Sequence, residues 1–249
     1  MKARQRLVAR ATVLDDGSGP RLCLGAVLQS YPPQGSGPPI DGWTWPDRVT
    51  ERDRGVTWGS FTVVGTYDGV RFAAEEVIDD EEAGSLSPEP LPDLTTPCPE
   101  PAGGWSAPDA TRCTAEDRDR VLTLAQRLPD YAGAWLDDRG DHSQDPRTTV
   151  LNVQVTGDVD AAEVTLREVW GGPLCVSRAE HTERELARIT AEVMSRAGAS
   201  AAWSARGHVE LEVDYDDGTL QHEVDLRYGT GLVRVRSALR PYRGQPGSR

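Results

Sequence analysis

Two stretches of the chain carry the sharpest hydrophobic patterns. In HVELEVDYDDG, Val209, Leu211, Val213 and Tyr215 alternate with His208, Glu210, Glu212, Asp214 and Asp216, the period-2 signature of a half-buried strand. In HTERELARITAEVMSRAG, Leu186, Ile189, Val193 and Ala197 recur at helical spacing. Thr182 and Glu185 there form a capping-box pattern, and Gly198 marks the stop. Around them, TAEDRDRVLTLAQRL reads as a helix with Thr114 as its N-cap, with Val121, Leu124, Ala125 and Leu128 on one face. YAGAWLD, TTVLNVQVTGD, PLCVSRAE and LVRVRSALRP read as strands, and DAAEVTLREVW and TLQHEVDLRYG as short helices. This order predicts an α+β sandwich over 114–242, with helices on one face of a mainly antiparallel sheet.

The N-terminal part reads as all-β. LVARATVL and PRLCLGAVL are strand-like runs joined by the turn-forming DDGSG. WGSFTVVGTYDGVRFAAEEV predicts two more strands joined through Tyr67-Asp68-Gly69, with a bulge or bend at Gly65. The expectation is a small antiparallel β-barrel over 1–84, of which the OB type is one form. Residues 85–113 read as a Pro-rich, acidic, extended connector, because no Lys or Arg occurs from Phe72 to Ala110. A tail, 243–249, is expected to be disordered.

Composition narrows the function classes. The net charge of −13 over 249 residues argues against a nucleic-acid partner, which would need a basic face. No apolar run is long enough to predict a transmembrane segment. MKARQRLVARATVL lacks the apolar core of a signal peptide, so a cytoplasmic location is expected if Met1 is the native start.

Few residues carry a recognisable chemistry. Cys23, Cys98, Cys113 and Cys175 contain no CxxC pair, which excludes a zinc knuckle or a thioredoxin-like motif. Cys98 and Cys113 bracket the end of the connector and the start of the first helix, and are the candidate disulfide. Cys23 and Cys175 lie in apolar strand contexts and read as buried thiols. Cys175 and His181 are close in sequence, but a core thiol beside a helix-leading histidine explains them. No GxSxG elbow, HExxH motif or phosphate loop occurs, so no catalytic residue and no cofactor is assigned. Asp137, Asp138, Asp141 and Asp145 could gather hard oxygen ligands in a loop, although a solvated hairpin loop accounts for them equally and no metal ligand is assigned.

The stretch YPPQGSGPPIDGWTWP places five prolines and two tryptophans in sixteen residues. Tyr31, Trp43 and Trp45 are the candidate binding residues, presented by a stiff loop at small entropic cost. Trp43 and Trp45 are two apart and project to one side of an extended chain. If that side is inward, they close one end of the barrel instead.

GPRLCLGAVLQSYPP with GPPIDGW, CPEPAGGW, VWGGPLCV and RYGTGLVRVRSALRP together resemble a family of uncharacterised actinobacterial proteins, often exported or lipid-anchored. The resemblance covers most of the chain and implies a cell-envelope or extracellular location, but no activity. Such proteins tend to carry a cysteine about where Gly35-Ser36 stands here, which would leave Cys23 unpaired. YAGAWLD and the later helix–strand order also resemble the pro-segments of alpha-lytic-type proteases.

The resulting expectation is a two-domain, non-catalytic protein-interaction module acting on an unidentified envelope or secreted partner. An enzyme with a site between the domains is the alternative. A ligand- or calcium-binding envelope protein is the second.

Overall fold

The computed structural model describes residues 5–46, 50–79, 93–140, 145–196 and 198–242. The expected tail, the connector before 93, and Asp141 and Ala197 lie outside these residues. The fold is α+β. The elements in chain order are β1 (Leu7–Asp15), β2 (Arg21–Cys23), β3 (Ile40–Asp41), β4 (Glu51–Asp53), β5 (Val56–Tyr67) and β6 (Phe72–Ile78). A 3-10 turn (Ala110–Arg112) leads into α1 (Ala115–Ala125), β7 (Tyr131–Asp137), β8 (Val150–Val155), α2 (Val159–Arg167) and β9 (Leu174–Arg178). Then come α3 (Glu183–Met194), β10 (Ala199–Ala205), β11 (His208–Val213), α4 (Thr219–Tyr228), β12 (Val233–Ser237) and β13 (Arg240–Pro241). None of these helices is long and apolar enough to cross a membrane.

The chain forms two compact units. One takes 1–89, 193–202 and 210–249, and the other 90–192 and 203–209. In the first, β5 is the central strand of a curled half-barrel ordered β13-β1-β5-β6-β3. It pairs antiparallel with β1 from Leu7↔Gly65 to Asp15↔Thr57, and with β6 on its other side. Both faces of β5 are covered: Val63 packs with Leu7, Leu22, Phe61 and Phe72, and Val64 with Val8 and Ile78. The β5–β6 register shifts between Val64 and Gly65. A side chain at Gly65 would begin 2.1 Å from the Ala73 carbonyl oxygen, so only glycine fits the bulge. Asp68 turns the hairpin by accepting the Val70 and Arg71 amides. The last strand, β13, returns to β1 through Leu7↔Pro241 and Val8↔Arg240, so both ends of the described chain build this sheet.

In the second unit, β7 and β8 run antiparallel while β8 and β9 run parallel, the crossover being α2. The helices α1 and α2 cover one face with Val121, Ala125, Ala162 and Leu166 against Leu151, Val153, Val155, Leu174 and Val176. Thr114 and Asp117 close a reciprocal capping box at the start of α1, and Thr182 and Glu185 do the same before α3.

The order α-β-β-α-β occurs twice, as α1-β7-β8-α2-β9 and as α3-β10-β11-α4-β12. The sheets are ordered alike, β7-β8-β9 and β10-β11-β12. Buried Leu151, Val153, Val155 and Leu166 in the first copy correspond in order to Val209, Leu211, Val213 and Val224 in the second.

Two expectations follow for the first unit. A Cβ added at Gly35 would stand 2.8 Å from Cys23 Sγ and 3.2 Å from Cys23 Cβ. The first distance is near the ~3 Å that an S–S bond and its angles set between a Cβ and the partner sulfur, and the second is a few tenths of an ångström under the usual Cβ–Cβ span of about 3.5–4.5 Å, so a small shift of the loop closes the bridge. The variant Gly35→Cys should therefore oxidise onto Cys23 and leave Cys113 as its free thiol. Thiol labelling after denaturation reads this, and a labelled Cys23 in the oxidised variant would refute the placement. The second expectation concerns pH. Tyr67 donates to Asp214 Oδ2 at 3.1 Å, and burial followed by that carboxylate pushes its phenol up to about 12. The folded state thus holds this proton more tightly than the unfolded chain, whose tyrosines titrate near 10. The stabilisation is complete below that pH and is lost as pH rises toward 12. Urea midpoints measured across this range should fall less steeply for Tyr67→Phe, and equal slopes would count against the contact.

Candidate functional site

The second face of the β7-β8-β9 sheet is built from the alternate residues of each strand. The pairing Trp135↔Asn152↔Cys175 places these three side chains in one row, and Gly133↔Gln154↔Ser177 forms the next. This face is covered by chain rather than by a helix. Residues 93–98 cross it as an extended strap. The Trp135 indole N–H donates to the Leu94 carbonyl at 2.9 Å. The Thr96 amide and hydroxyl both donate to Asp137 Oδ2 at 2.8 Å. Cys98 is then disulfide-bonded to Cys175 on β9. The strap is tied to β7 at two residues and covalently to β9, and buried Asn152 of β8 lies in the row between them. The residues read from composition as the end of a connector are therefore bonded into this unit.

The disulfide corrects the expected Cys98–Cys113 bridge. Cys113 is a free, buried thiol packed with Trp170 in the core between helices and sheet, its Sγ 3.1 Å from the Pro146 carbonyl. Backbone bonds from the Asp109 amide to Gly171 and from the Gly171 amide to Arg112 fix that entry. Cys98 lies on the opposite face, so the sheet itself stands between the two cysteines. Cys175, read as a buried thiol, is spent in the bridge.

Beside the strap is an open cleft of about 520 Å³, lined by Asp93, Thr95, Trp135, Gln154, Arg178 and Glu180 among others. Arg178 and Glu180 leave the end of β9, where the Ala179 amide still bonds the Val155 carbonyl. The remaining wall is the tip of the β10–β11 hairpin. Gly207 has a φ of 75°, which permits the tight turn, and Arg206 there stacks over Trp135 at 4.7 Å from the ring centroid. Gly133 supplies no side chain beside Gln154. Asp93 Oδ1 accepts from the Thr95 amide at 2.9 Å and hydroxyl at 2.7 Å. These bonds, with Arg206 nearby, hold the Asp93 carboxyl below its ordinary range.

The aromatic-loop candidates are placed elsewhere. Trp43 and Trp45 are perpendicular to each other at 5.6 Å and pack on Phe61, at 5.0 and 6.3 Å, in the core of the first unit. Tyr31 is 66% exposed and stands edge-on to Trp58, so it joins a different cluster. The three residues do not form one groove. The aspartates of the 137–145 loop serve the backbone: Asp137 Oδ1 accepts from the Arg139 amide, Asp138 from Gly140 and Asp145 from Arg147. Among the described residues no group of three or more His, Cys, Asp or Glu side chains is arranged to hold a metal ion. The cleft residues carry no motif. Their one sequence signal is a tryptophan amid Ala and Gly in YAGAWLD, where a strand core would place β-branched residues.

Comparison of the chain with protein-family models and with curated protein sequences finds no match.

Replacing both Cys98 and Cys175 by Ser should release the strap. The bridge spans a sequence separation of 77, which the loop-entropy model values at about 4.5 kcal/mol. Chemical denaturation should show a loss on the order of 2–4 kcal/mol. Peptide mapping of the unreduced wild type should recover Cys98 joined to Cys175, and recovery of Cys98 joined to Cys113 would overturn the strap geometry.

Proposed function

We propose that the protein is a non-catalytic interaction module that holds a segment of another polypeptide in the cleft beside the strap. The observation that carries this reading is a covalently fastened wall next to polar groups with unused bonding capacity. The Gln154 and Glu180 side chains have no hydrogen-bond or ion-pair partner among the described residues. The volume lies within the range of ligand-binding clefts, and the open shape suits an extended chain. A wall fixed before binding lowers the ordering cost of association. The resemblance to exported actinobacterial proteins supports a partner in the envelope or outside the cell. The Cys98–Cys175 bridge supports the same reading, since disulfides persist in oxidising compartments.

Site-directed photo-crosslinking tests this. A benzophenone amino acid at Thr95, beside the cleft, should capture a discrete polypeptide from the envelope or secreted fraction of an actinobacterial host. The same probe at Val164, an exposed position on α2, should not. Identical products at both positions, or none at Thr95, would refute the module.

A further inference from the structure

Backbone bonds at the two ends of β8 fix the direction of every main-chain group in its sheet. The Leu151 amide donates to the Pro173 carbonyl and the Ala179 amide to the Val155 carbonyl, so the backbone groups of Leu151, Val153 and Val155 face β9. Those of Val150, Asn152 and Gln154 therefore face β7, where the register pairs them with Asp137, Trp135 and Gly133. The N–H and C=O groups of Ala134 and Leu136 are left pointing away from β8, and β7 is the last strand of its sheet on that side. Among the described residues none bonds to these four groups. Ala134, Trp135 and Leu136 are half-buried. Two other outer strands are closed. At β12 the Gln221 side chain takes the place of a neighbouring strand, accepting from the Val235 amide at 2.8 Å and donating to the Val233 carbonyl at 2.9 Å. At β9, Leu174, Cys175 and Val176 are buried, and Cys175 is tied to the strap. An open row of alternating donors and acceptors pairs readily with extended chain, and folds usually block it with charge or proline. Ala134 and Leu136 carry no charge, and no proline interrupts β7.

We infer that the outer edge of β7 takes the partner segment as an added β-strand, held by main-chain bonds to Ala134 and Leu136. This rests on the interaction-module reading above and names how the segment is held. Extended polypeptide presents N–H and C=O groups alternately at strand spacing, which selects it over a glycan or a small ligand. The partner residue level with Trp135 projects on the face that Trp135 shares with Gln154, and so toward the cleft. Its two neighbours project on the other face, beside Ala134 and Leu136, which pack against the core under the helices. The bonds involve main chain alone, so they fix the direction and register of the segment whichever side chain enters the cleft.

Hydrogen exchange followed by NMR on the intact, oxidised protein is the first test. The Ala134 and Leu136 amides should exchange at least about tenfold faster than the Trp135 amide, which faces β8. Equal protection would mean that the edge is already filled and would overturn the inference. Peptides selected from a displayed random library on the same protein should then slow exchange at Ala134 and Leu136. N-methylation of alternate residues of a selected peptide should weaken binding about tenfold or more by fluorescence anisotropy, and N-methylation of the intervening residues by less than about threefold. Ala134→Pro removes an outward N–H and no bond to β8, so it should weaken binding likewise while melting with the wild type. If that variant fails to fold, the N-methyl series decides alone. Peptides that bind yet tolerate every N-methyl group would overturn the edge while leaving the module intact. Selection of no peptide at all would overturn both. A concentration-dependent dimer that protects the same two amides would put a second copy of the chain on the edge and overturn the partner segment as its occupant.

Discussion

The bond from Cys98 to Cys175 is the constraint on which the second unit depends. A three-stranded sheet with helices on one side has a second face that must be either polar or covered. Here it is covered by six residues of extended chain, which cannot bury enough apolar area to hold themselves in place. The covalent tie to β9 and the Thr96–Asp137 and Trp135–Leu94 bonds to β7 supply what packing does not. With the strap fixed, Asn152 is fully buried, donating to the Val150 carbonyl, and Trp135 is held by its indole nitrogen with its ring left to Arg206. The cleft is the space the strap leaves uncovered. Without the tie, the same residues would form a flat, wet sheet face.

Much of the local structure was legible because local structure is set by local chemistry. The capping boxes at Thr114 and Thr182, the alternation of Val209, Leu211 and Val213, and the bulge at Gly65 all follow from neighbouring residues. Strand β10 was missed because ASAAWSA is rich in Ala and Ser, residues with little β preference. The disulfide partner was misread because proximity in sequence says nothing about which face of a sheet a residue reaches. Cys98 and Cys113 are fifteen positions apart and on opposite sides of β8. The cleft was illegible for the same reason. Its walls come from residues 93–97, β7, β8, the end of β9 and a hairpin tip past residue 203, and no short window contains two of them in a telling order. The tryptophans that did attract attention, Trp43 and Trp45, attracted it through composition, and composition cannot tell an inward ring from an outward one.

The repeat was also hidden, although its consequences are chemical. The two copies differ in the connection between their first two strands, which spans 138–149 in one and Arg206-Gly207 in the other. They share buried apolar positions rather than identities, so likeness of sequence does not announce likeness of fold. EVTLR in α2 and EVDLR in α4 even mislead. Leu166 is buried in the first while Leu226 is exposed in the second, and Val164 and Val224 show the reverse.

Once the copies are aligned by their buried strand residues, the divergence between them accounts for the strap. The outward positions of β8 are Asn152 and Gln154, and the corresponding positions of β11 are Glu210 and Glu212. An amide carries no charge to desolvate, so covering it costs less than covering a carboxylate, even though Asn152 uses its N–H on the Val150 carbonyl and keeps its Oδ1 buried without a partner among the described residues. Carboxylates cannot be covered so simply. Glu210 lies 3.9 Å from Arg236, and burial raises the Glu212 carboxyl above its ordinary range. The second copy thus keeps a charged face with a cation on the neighbouring strand. In the first copy, neutral amides at the same two positions allow a peptide strap to lie across the sheet, and Gln154 lines the cleft beside it.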